Sequence, residues 1–503
     1  MLFSVAQFTR ASCDLHITSA GPCLADGTYA TPTIGDQYYS VKVSFKVTGT
    51  PTNPFRIKFT IANTTRYSGY LTLHDGWNWD TWLSWTLPLD DSIPWSVTLD
   101  PDGVSGNSNL VNSSTNGIFT PIPPSSDVEL YSPRLMHGYE SIYIDFQPQS
   151  GSIPYFYEFF GMPTTHGAQT AITVSPPNGQ PGQTVLTQPY GVPVFQIVRT
   201  NVSASIFQDT NAFIMRLSRI RVNPALLRTN TWSAMNSLGT NWTQWIADQG
   251  SGSTNPLVAS FVQQSLPKNY LTTLTPYDTA RTLHRAVMKA LTYQSSHPAE
   301  DAVGALQNGV ADCGGFAGLL TACLRNVGIP ARTVAGFFQG DSIWHVRVEF
   351  HLPSVEWLVA DPCDGNAFDA SGTYAYYFGY IPNADTFLAV DTGTVHVTKT
   401  PLGTIGAFQE PAWFWLGGNA SWHQNYASYL QPNGVLCVTN SPTGLFQFYL
   451  NDPPNEGSVV LQTSTNLNDW SPIATNSVNG NAINYSFPAT DGVRRYYREN
   501  VIP

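Results

Sequence analysis

The sequence predicts a multidomain chain: N-terminal all-β sandwich-like domains, a central α+β domain and a small C-terminal β-sandwich module. Three observations predict it. Apolar and polar residues alternate at period two through the first 215 residues and again from 432, the spacing of half-buried strands. Between them, from about residue 224, the apolar positions move to helical spacing. Only 11% of residues are charged, well under the usual ~25%. Ser, Thr, Asn, Gly, Pro and aromatics fill the gap, as suits a turn-rich extracellular β protein. At 503 residues the chain holds several domains, drawn at 1–102, 103–215, 216–431 and 432–503.

Charge narrows the function. The formal charge is −11 and no basic run exists to neutralise phosphates, which argues against nucleic acid. No apolar run reaches ~18 residues, so no membrane span is expected. Met1-Leu2-Phe3-Ser4-Val5-Ala6-Gln7 lacks the basic and apolar regions of a signal peptide. Composition favours an extracellular or cell-surface protein whose mature sequence follows Met1; a cytosolic protein is the other reading.

Taken in order, Tyr38 to Val47 alternates as a strand and ends in Thr48-Gly49-Thr50-Pro51; Phe55 to Ile61 repeats the pattern. Cys13 and Cys23, with Gly21-Pro22 between them, suit a loop-closing disulfide. Trp77, Trp79, Trp82 and Trp85 crowd together. They are expected to pack in the core and at the sheet edge; the functional reading is an exposed row contacting surface polysaccharide. Asp100-Pro101-Asp102-Gly103 with Asn107 and Asn109 offers oxygen ligands of the kind Ca²⁺ takes, without the bidentate Glu of an EF-hand; an Asx-rich turn is the plainer reading. Pro121 to Ser126 reads as a linker. In the second β region, Tyr139 to Phe146 and Val192 to Val198 are strands, and Pro176-Pro177-Asn178-Gly179 is a turn. Pro224 to Leu227, Trp232 to Ala247 and Pro256 to Leu266 read as short helices. A stronger one starts at Thr275 (N-cap) and Pro276, with Ala280, Leu283, Ala286, Val287 and Leu291 as its stripe. Val435 to Val438, Phe446 to Leu450, Val459 to Ser464 and Ile483 to Phe487 are the C-terminal strands.

The chemistry concentrates in 308–365. Asp312 caps a helix whose apolar stripe is Phe316, Leu319, Leu320, Cys323, Leu324 and Val327, closed by Gly328 and Pro330. Cys313 therefore sits in the first turn, where the helix dipole and free N–H groups favour a thiolate. Gly314 and Gly315 are expected to leave room for a substrate backbone. Cys323, on the stripe, reads as a buried small hydrophobe. Three strands follow: Arg332 to Phe338, Ile343 to His351, and Val355 to Asp361. On the second, Trp344, Val346, Val348 and Phe350 form the core face, while His345, Arg347, Glu349 and His351 face the helix start or a cleft. A three-residue loop, Leu352-Pro353-Ser354, would pair His351 with Val355 and set His345 directly opposite Asp361, with Cβ atoms ~4.5–5.5 Å apart. A one-residue slip would separate them onto opposite faces. Thiol, imidazole and carboxylate are the parts of an activated nucleophile, its base and the orienter of that base.

These segments resemble the transglutaminase-like superfamily of papain-type thiol enzymes over about residues 276–400. The matching pieces are Gly309-Val310-Ala311-Asp312-Cys313, Leu324 to Arg332, His345-Val346-Arg347-Val348-Glu349, and Trp357-Leu358-Val359-Ala360-Asp361-Pro362. The resemblance implies an α+β transglutaminase-like domain, with Cys313 as nucleophile, His345 as base and acid, and Asp361 as orienter. Two departures stand out: an aromatic, Trp344, precedes the histidine where the family often has one after it, and Cys363 follows Asp-Pro where the family often has Thr. Cys363 therefore brings in redox control or a disulfide beside plain packing. Besides the Cys313 N–H, an oxyanion hole needs a second donor, with Tyr293 and Trp344 as candidates; Gly314 and Trp344 are the candidate substrate contacts. The expectation is a secreted enzyme acting on amide bonds of a protein or peptide through a thioester, by hydrolysis or transamidation, with no required cofactor. The rival is a non-enzymatic adhesive or structural protein with an inactive version of the fold.

Overall fold

The structure is a computed structural model. It describes residues 13–502 except 24–26, 32–38, 63, 86–92, 108–111, 176–183, 188–192, 249, 297–298, 300, 340–343, 382–383, 393–394, 398–403, 407–410, 433–434, 441–444, 452–457, 465–470, 478–482 and 489–495. The N-terminal heptapeptide, the turn at 176–179 and Asn109 lie outside the described residues. Two compact units divide the chain: 1–131 with 220–333 and 347–382, and 132–219 with 334–346 and 383–503.

In the first unit, the N-terminal part is a sandwich. Strands 14–23, 39–48 and 78–85 form one sheet; 64–67, 57–61, 93–99 and 114–119 form the other. Alternation works as expected: Val41, Val43 and Phe45 from one sheet and Ile57, Phe59, Val97 and Leu99 from the other share one core. The second sheet takes in 114–119, beyond the boundary drawn at residue 102.

Cys13 and Cys23 are thiols, not a disulfide. They flank or end the single strand Asp14–Cys23. At ~3.3 Å per residue their Cα atoms stand roughly 30 Å apart, against the 7 Å limit of a bridge. The tryptophans take the sheet-edge half of the expectation and not the core half: Trp77, Trp79 and Trp82 are exposed on or beside the edge strand 78–85. Trp77 and Trp79 stack at 6.4 Å, while Trp82 lies across the strand with Lys42 Nζ 5.9 Å from its ring. In the Asx-rich loop, Asp100 accepts from Val104 N and Ser105 N, both at 2.9 Å, and Asp102 pairs with Arg56 at 2.7 Å. Protein donors account for these carboxylates as turn elements.

The helical part of this unit follows the expected stripes. The stretch Trp232 to Ala247 breaks into two short helices, 232–236 and 240–243. Helix α1 (Pro276–Ala290) is capped by Thr275, whose hydroxyl accepts from Asp278 N at 3.1 Å. Strand β1 (Thr292–Tyr293) pairs in parallel with β2 (Val310–Ala311), and α2 (Ala302–Asn308) lies between them in sequence. Helix α3 (Cys313–Asn326) buries Phe316, Leu319, Leu320, Cys323 and Leu324 completely. Residues 331–392 contribute a four-stranded sheet that is not confined to this unit, in the order β5 (Val355–Ala360), β4 (Trp344–Leu352), β3 (Ala331–Phe338), β6 (Phe387–Thr392). Helix α4 (Pro362–Asp369) leaves the end of β5. No helix among the described residues is long and apolar enough to cross a membrane.

The second unit is built on two four-stranded sheets. One orders 169–175, 205–222, 128–148 and 420–432; the other orders 184–187, 193–202, 153–161 and 412–416. Strands 412–416 and 420–432, read from sequence with the central domain, complete these sheets. Ile142, Ile144, Phe146, Phe156, Phe195 and Ile197 fill the space between the sheets. Two three-stranded sheets, 435–440 with 445–451 and 483–488, and 471–477 with 458–464 and 496–502, make the C-terminal part.

Two buried ionisable sites give checkable consequences. Arg199 pairs with the buried Glu158 and, at 2.6 Å, with the buried Asp209. Removing one partner of such a pair strands buried charge, which costs about 3–5 kcal/mol. Arg199→Met is expected to lower the urea unfolding midpoint of this unit accordingly. On α1, His284 is fully buried and its Nε2–H donates to Tyr376 O at 2.7 Å. Burial pushes its pKa down to about 4. The unfolded chain takes up this proton near pH ~6.5 and the folded chain does not, so the stabilisation is complete above pH ~6.5. It is lost as pH falls toward the folded value, by about 3 kcal/mol. Urea midpoints between pH 7.5 and 4.5 should fall more steeply for the native chain than for His284→Phe.

Candidate active site

The thiol is placed by helix capping. Asp312 Oδ1 accepts from Gly315 N at 3.1 Å, which fixes the start of α3 at Cys313. Cys313 is half-buried and holds the first helical position, where its N–H has no intrahelical acceptor. At the other end, Gly328 takes the left-handed φ of +83° that stops the helix.

Gly315 serves the scaffold rather than a substrate. A Cβ there would stand 2.1 Å from Ala299 O and 2.6 Å from the Ala311 side chain. The missing side chain lets the first turn of α3 close onto these segments. Gly314 stays half-buried beside the thiol.

The β4–β5 hairpin departs from the expected register. Its loop is the two-residue Pro353-Ser354, so Leu352 pairs with Val355, and a bulge in β5, where Glu356 and Trp357 oppose the single His351, then advances the pairing once more. Val348 therefore meets Ala360, and Phe350 meets Leu358. Continued by one residue, this sets Arg347, not His345, across from the Asp361 position. The shorter loop and the bulge each contribute a one-residue shift. Together they total two, which returns every side chain to its original face. His345 thus keeps the face of Asp361. One ring nitrogen of His345 and one carboxylate oxygen from each of Asp361 and Asp364 lie within 4.8 Å of one another.

The polar row of β4 is covered, not open. His345, Arg347, Glu349 and His351 are all buried, and each has an answer. Glu349 accepts from Arg332 Nε at 2.8 Å. His351 stacks on Trp242 at 3.4 Å. His345 lies between the rings of Phe338 at 5.4 Å and Phe387 at 6.3 Å. Arg347 Nε stands 3.3 Å from Asp361 Oδ2, an ion pair by distance without hydrogen-bond alignment. Trp344 points the other way and packs against Phe337 at 5.1 Å, away from the His345 face.

Asp361 is not the last residue of a strand but the N-cap of α4. Its Oδ1 accepts from Asp364 N at 3.0 Å, and its own N–H donates to Tyr377 O at 2.8 Å. Tyr377 holds a left-handed φ of +58°, a costly conformation for an aromatic residue. Asp-Pro opening a helix is a signal for this cap that the sequence carries. Asp364 and Tyr377 are the residues of this cluster that motif reasoning missed; Arg347 it sets on the correct face without a partner.

Helices α3 and α4 pack against each other. Burial pushes the Cys363 thiol up, and the charges of Asp361 and Cys313 add to this. Tyr293, exposed on β1, is pushed up by partial burial and then by Cys363 and Cys313, so its hydroxyl remains an O–H donor near the thiol. Burial likewise pushes Cys323 up, in keeping with a packed thiol on the stripe. His345, Asp361 and Asp364 have the spacing of a metal-ligand set, but the Arg347 guanidinium already supplies the cation beside Asp361; no metal is assigned.

Cys313 thus opens one capped helix, α3, and Asp361 caps another, α4, with the His345 ring in its cluster. Residues 265–362 match the family described as the transglutaminase-like superfamily, so the chain carries a transglutaminase-like core there. No curated protein matches the chain. Among solved structures, a candidate cysteine protease from Cytophaga hutchinsonii is 12% identical, with TM-score 0.44, covering 61% of this chain and 92% of its own. A candidate protease from Parabacteroides distasonis ATCC 8503 is 11% identical, with TM-score 0.19, covering 69% and 66%.

Gly315→Ala tests the close approach at the helix start. It is expected to cost about 1–3 kcal/mol in the urea unfolding free energy through overpacking, and to slow iodoacetamide labelling of Cys313 in the folded protein.

Proposed function

We propose that the chain is a secreted thiol enzyme acting on amide bonds of a protein or peptide through a Cys313–His345–Asp361 triad. One observation carries the reading: a cysteine at the capped start of α3, a helix packed against α4, whose cap Asp361 lies with the His345 ring in a cluster within 4.8 Å.

His345 takes the Cys313 proton, and the helix N-terminus stabilises the thiolate. The thiolate attacks the amide carbonyl. The Cys313 N–H donates to the developing oxyanion, and Tyr293 O–H is the candidate second donor. Collapse breaks the C–N bond, and His345 returns its proton to the departing amine, leaving a thioester. Attack by water completes hydrolysis; attack by a lysine or other amine completes transamidation. Asp361 orients the imidazole and balances its charge throughout.

The exposed Trp77–Trp79 pair supports a contact role for the N-terminal sandwich, toward a surface polysaccharide or protein, and keeps alive the alternative of an adhesive protein with an inactive core. Labelling kinetics separate the two. Iodoacetamide should modify Cys313 roughly tenfold or more faster than a free thiol at pH 7, and His345→Ala should abolish the excess. An ordinary rate, with no response in peptide or amine assays, sinks the enzyme reading. A glutamine-containing protein offered with a fluorescent amine then divides the reactions: incorporation marks transamidation, and new peptide termini mark proteolysis.

A further inference from the structure

One buried charge beside the site has no part in the steps above. Arg347 lies two residues past His345 on the same face of β4 and is 3% exposed. The hairpin register sets it across from the Asp361 position, and its Nε stands 3.3 Å from Asp361 Oδ2.

Its surroundings explain why a cation is needed. Asp361 Oδ1 is engaged by the α4 cap, through Asp364 N at 3.0 Å. The Asp364 carboxylate belongs to the same cluster, with an oxygen within 4.8 Å of those of Asp361 and of a His345 ring nitrogen. Two carboxylates this close, one of them fully buried, resist ionising together, and one keeps a proton unless a countercharge is present. A protonated Asp361 could not balance an imidazolium. The groups facing the cluster are few. Asp361, Cys363 and Asp364 come from the start of α4, Tyr377 from the segment beyond it, Tyr293 from β1 and His345 from β4; α1 brings His284, which burial keeps neutral, with Arg281 and Arg285 beside it. Glu349 has its own cation in Arg332. Arg347 is thus the positive charge against Asp361 and Asp364, and the three sum to a single negative charge beside His345.

We propose that Arg347 is a positioning residue: it holds Asp361 as a carboxylate in the presence of Asp364, and so sets the pH range over which the Cys313 thiolate and His345 imidazolium coexist. The inference rests on the triad reading above.

The test is the pH dependence of Cys313 alkylation by iodoacetamide, with urea midpoints measured on the same full-length samples. The native chain should hold a fast plateau extending into weakly acidic pH. In Arg347→Met the plateau should contract, with the rate at pH 6 falling tenfold or more and the unfolding midpoint dropping. The double variant Arg347→Met with Asp364→Asn removes the like charge that Arg347 answers, so it should recover much of both. An Arg347→Met protein that folds with an unchanged pH profile overturns the proposal. So does a double variant as defective as Arg347→Met, in labelling or in folding. If the native chain itself labels like an ordinary thiol, the triad reading fails; recovery of the midpoint in the double variant then still decides the charge relation between Arg347 and Asp364.

Discussion

The Asp361 carboxylate is the constraint on which the rest of the site depends. It is fully buried, and a buried carboxylate is tolerable only when donors and countercharge surround it. Its Oδ1 caps α4, its Oδ2 faces Arg347, and its backbone N–H is held by the strained Tyr377. Each hold fixes a different element: the helix direction, the β4–β5 register, and the segment after α4. A side chain this constrained cannot drift away from the face that His345 shares. The same logic runs along β4, where Glu349 is answered by Arg332 and His351 by Trp242. A polar strand face is buried here at the cost of a partner for each residue.

The thiol end is set by simpler means. A capped helix start, a glycine that lets that turn close onto Ala299, and a long apolar stripe place Cys313 with little freedom. Packing around α3 is dense and apolar, whereas the Asp361 end is ionic.

Elsewhere, the strand-rich parts are ordinary sandwiches in their cores and less ordinary at their edges. Period-two alternation places Val41, Val43 and Phe45 inside. It says nothing of where an edge strand ends, and so the tryptophans of 77–82 lie outside the core. The expected disulfide does not form for a related reason: two cysteines ten positions apart suggest a loop, but an alternating strand holds its ends far apart.

Local rules made much of the molecule legible. Caps at Asp312 and Thr275, the stripes of α1 and α3, the Gly328 stop, the identity of the thiol, imidazole and carboxylate candidates, and their resemblance to the transglutaminase-like core are all properties of spacing within a few turns. The face shared by His345 and Asp361 was also readable, because side-chain period is two and does not depend on loop length when the shift is even. What pairs with what was not. The β5 bulge opposite His351, the tight Pro353-Ser354 loop, the sheet partners of 412–432, and the meeting of Arg347 with Asp361 are long-range outcomes. They follow from which backbone groups find partners across the sheet and which buried charges must be neutralised, and no window of sequence contains both halves of such a pair.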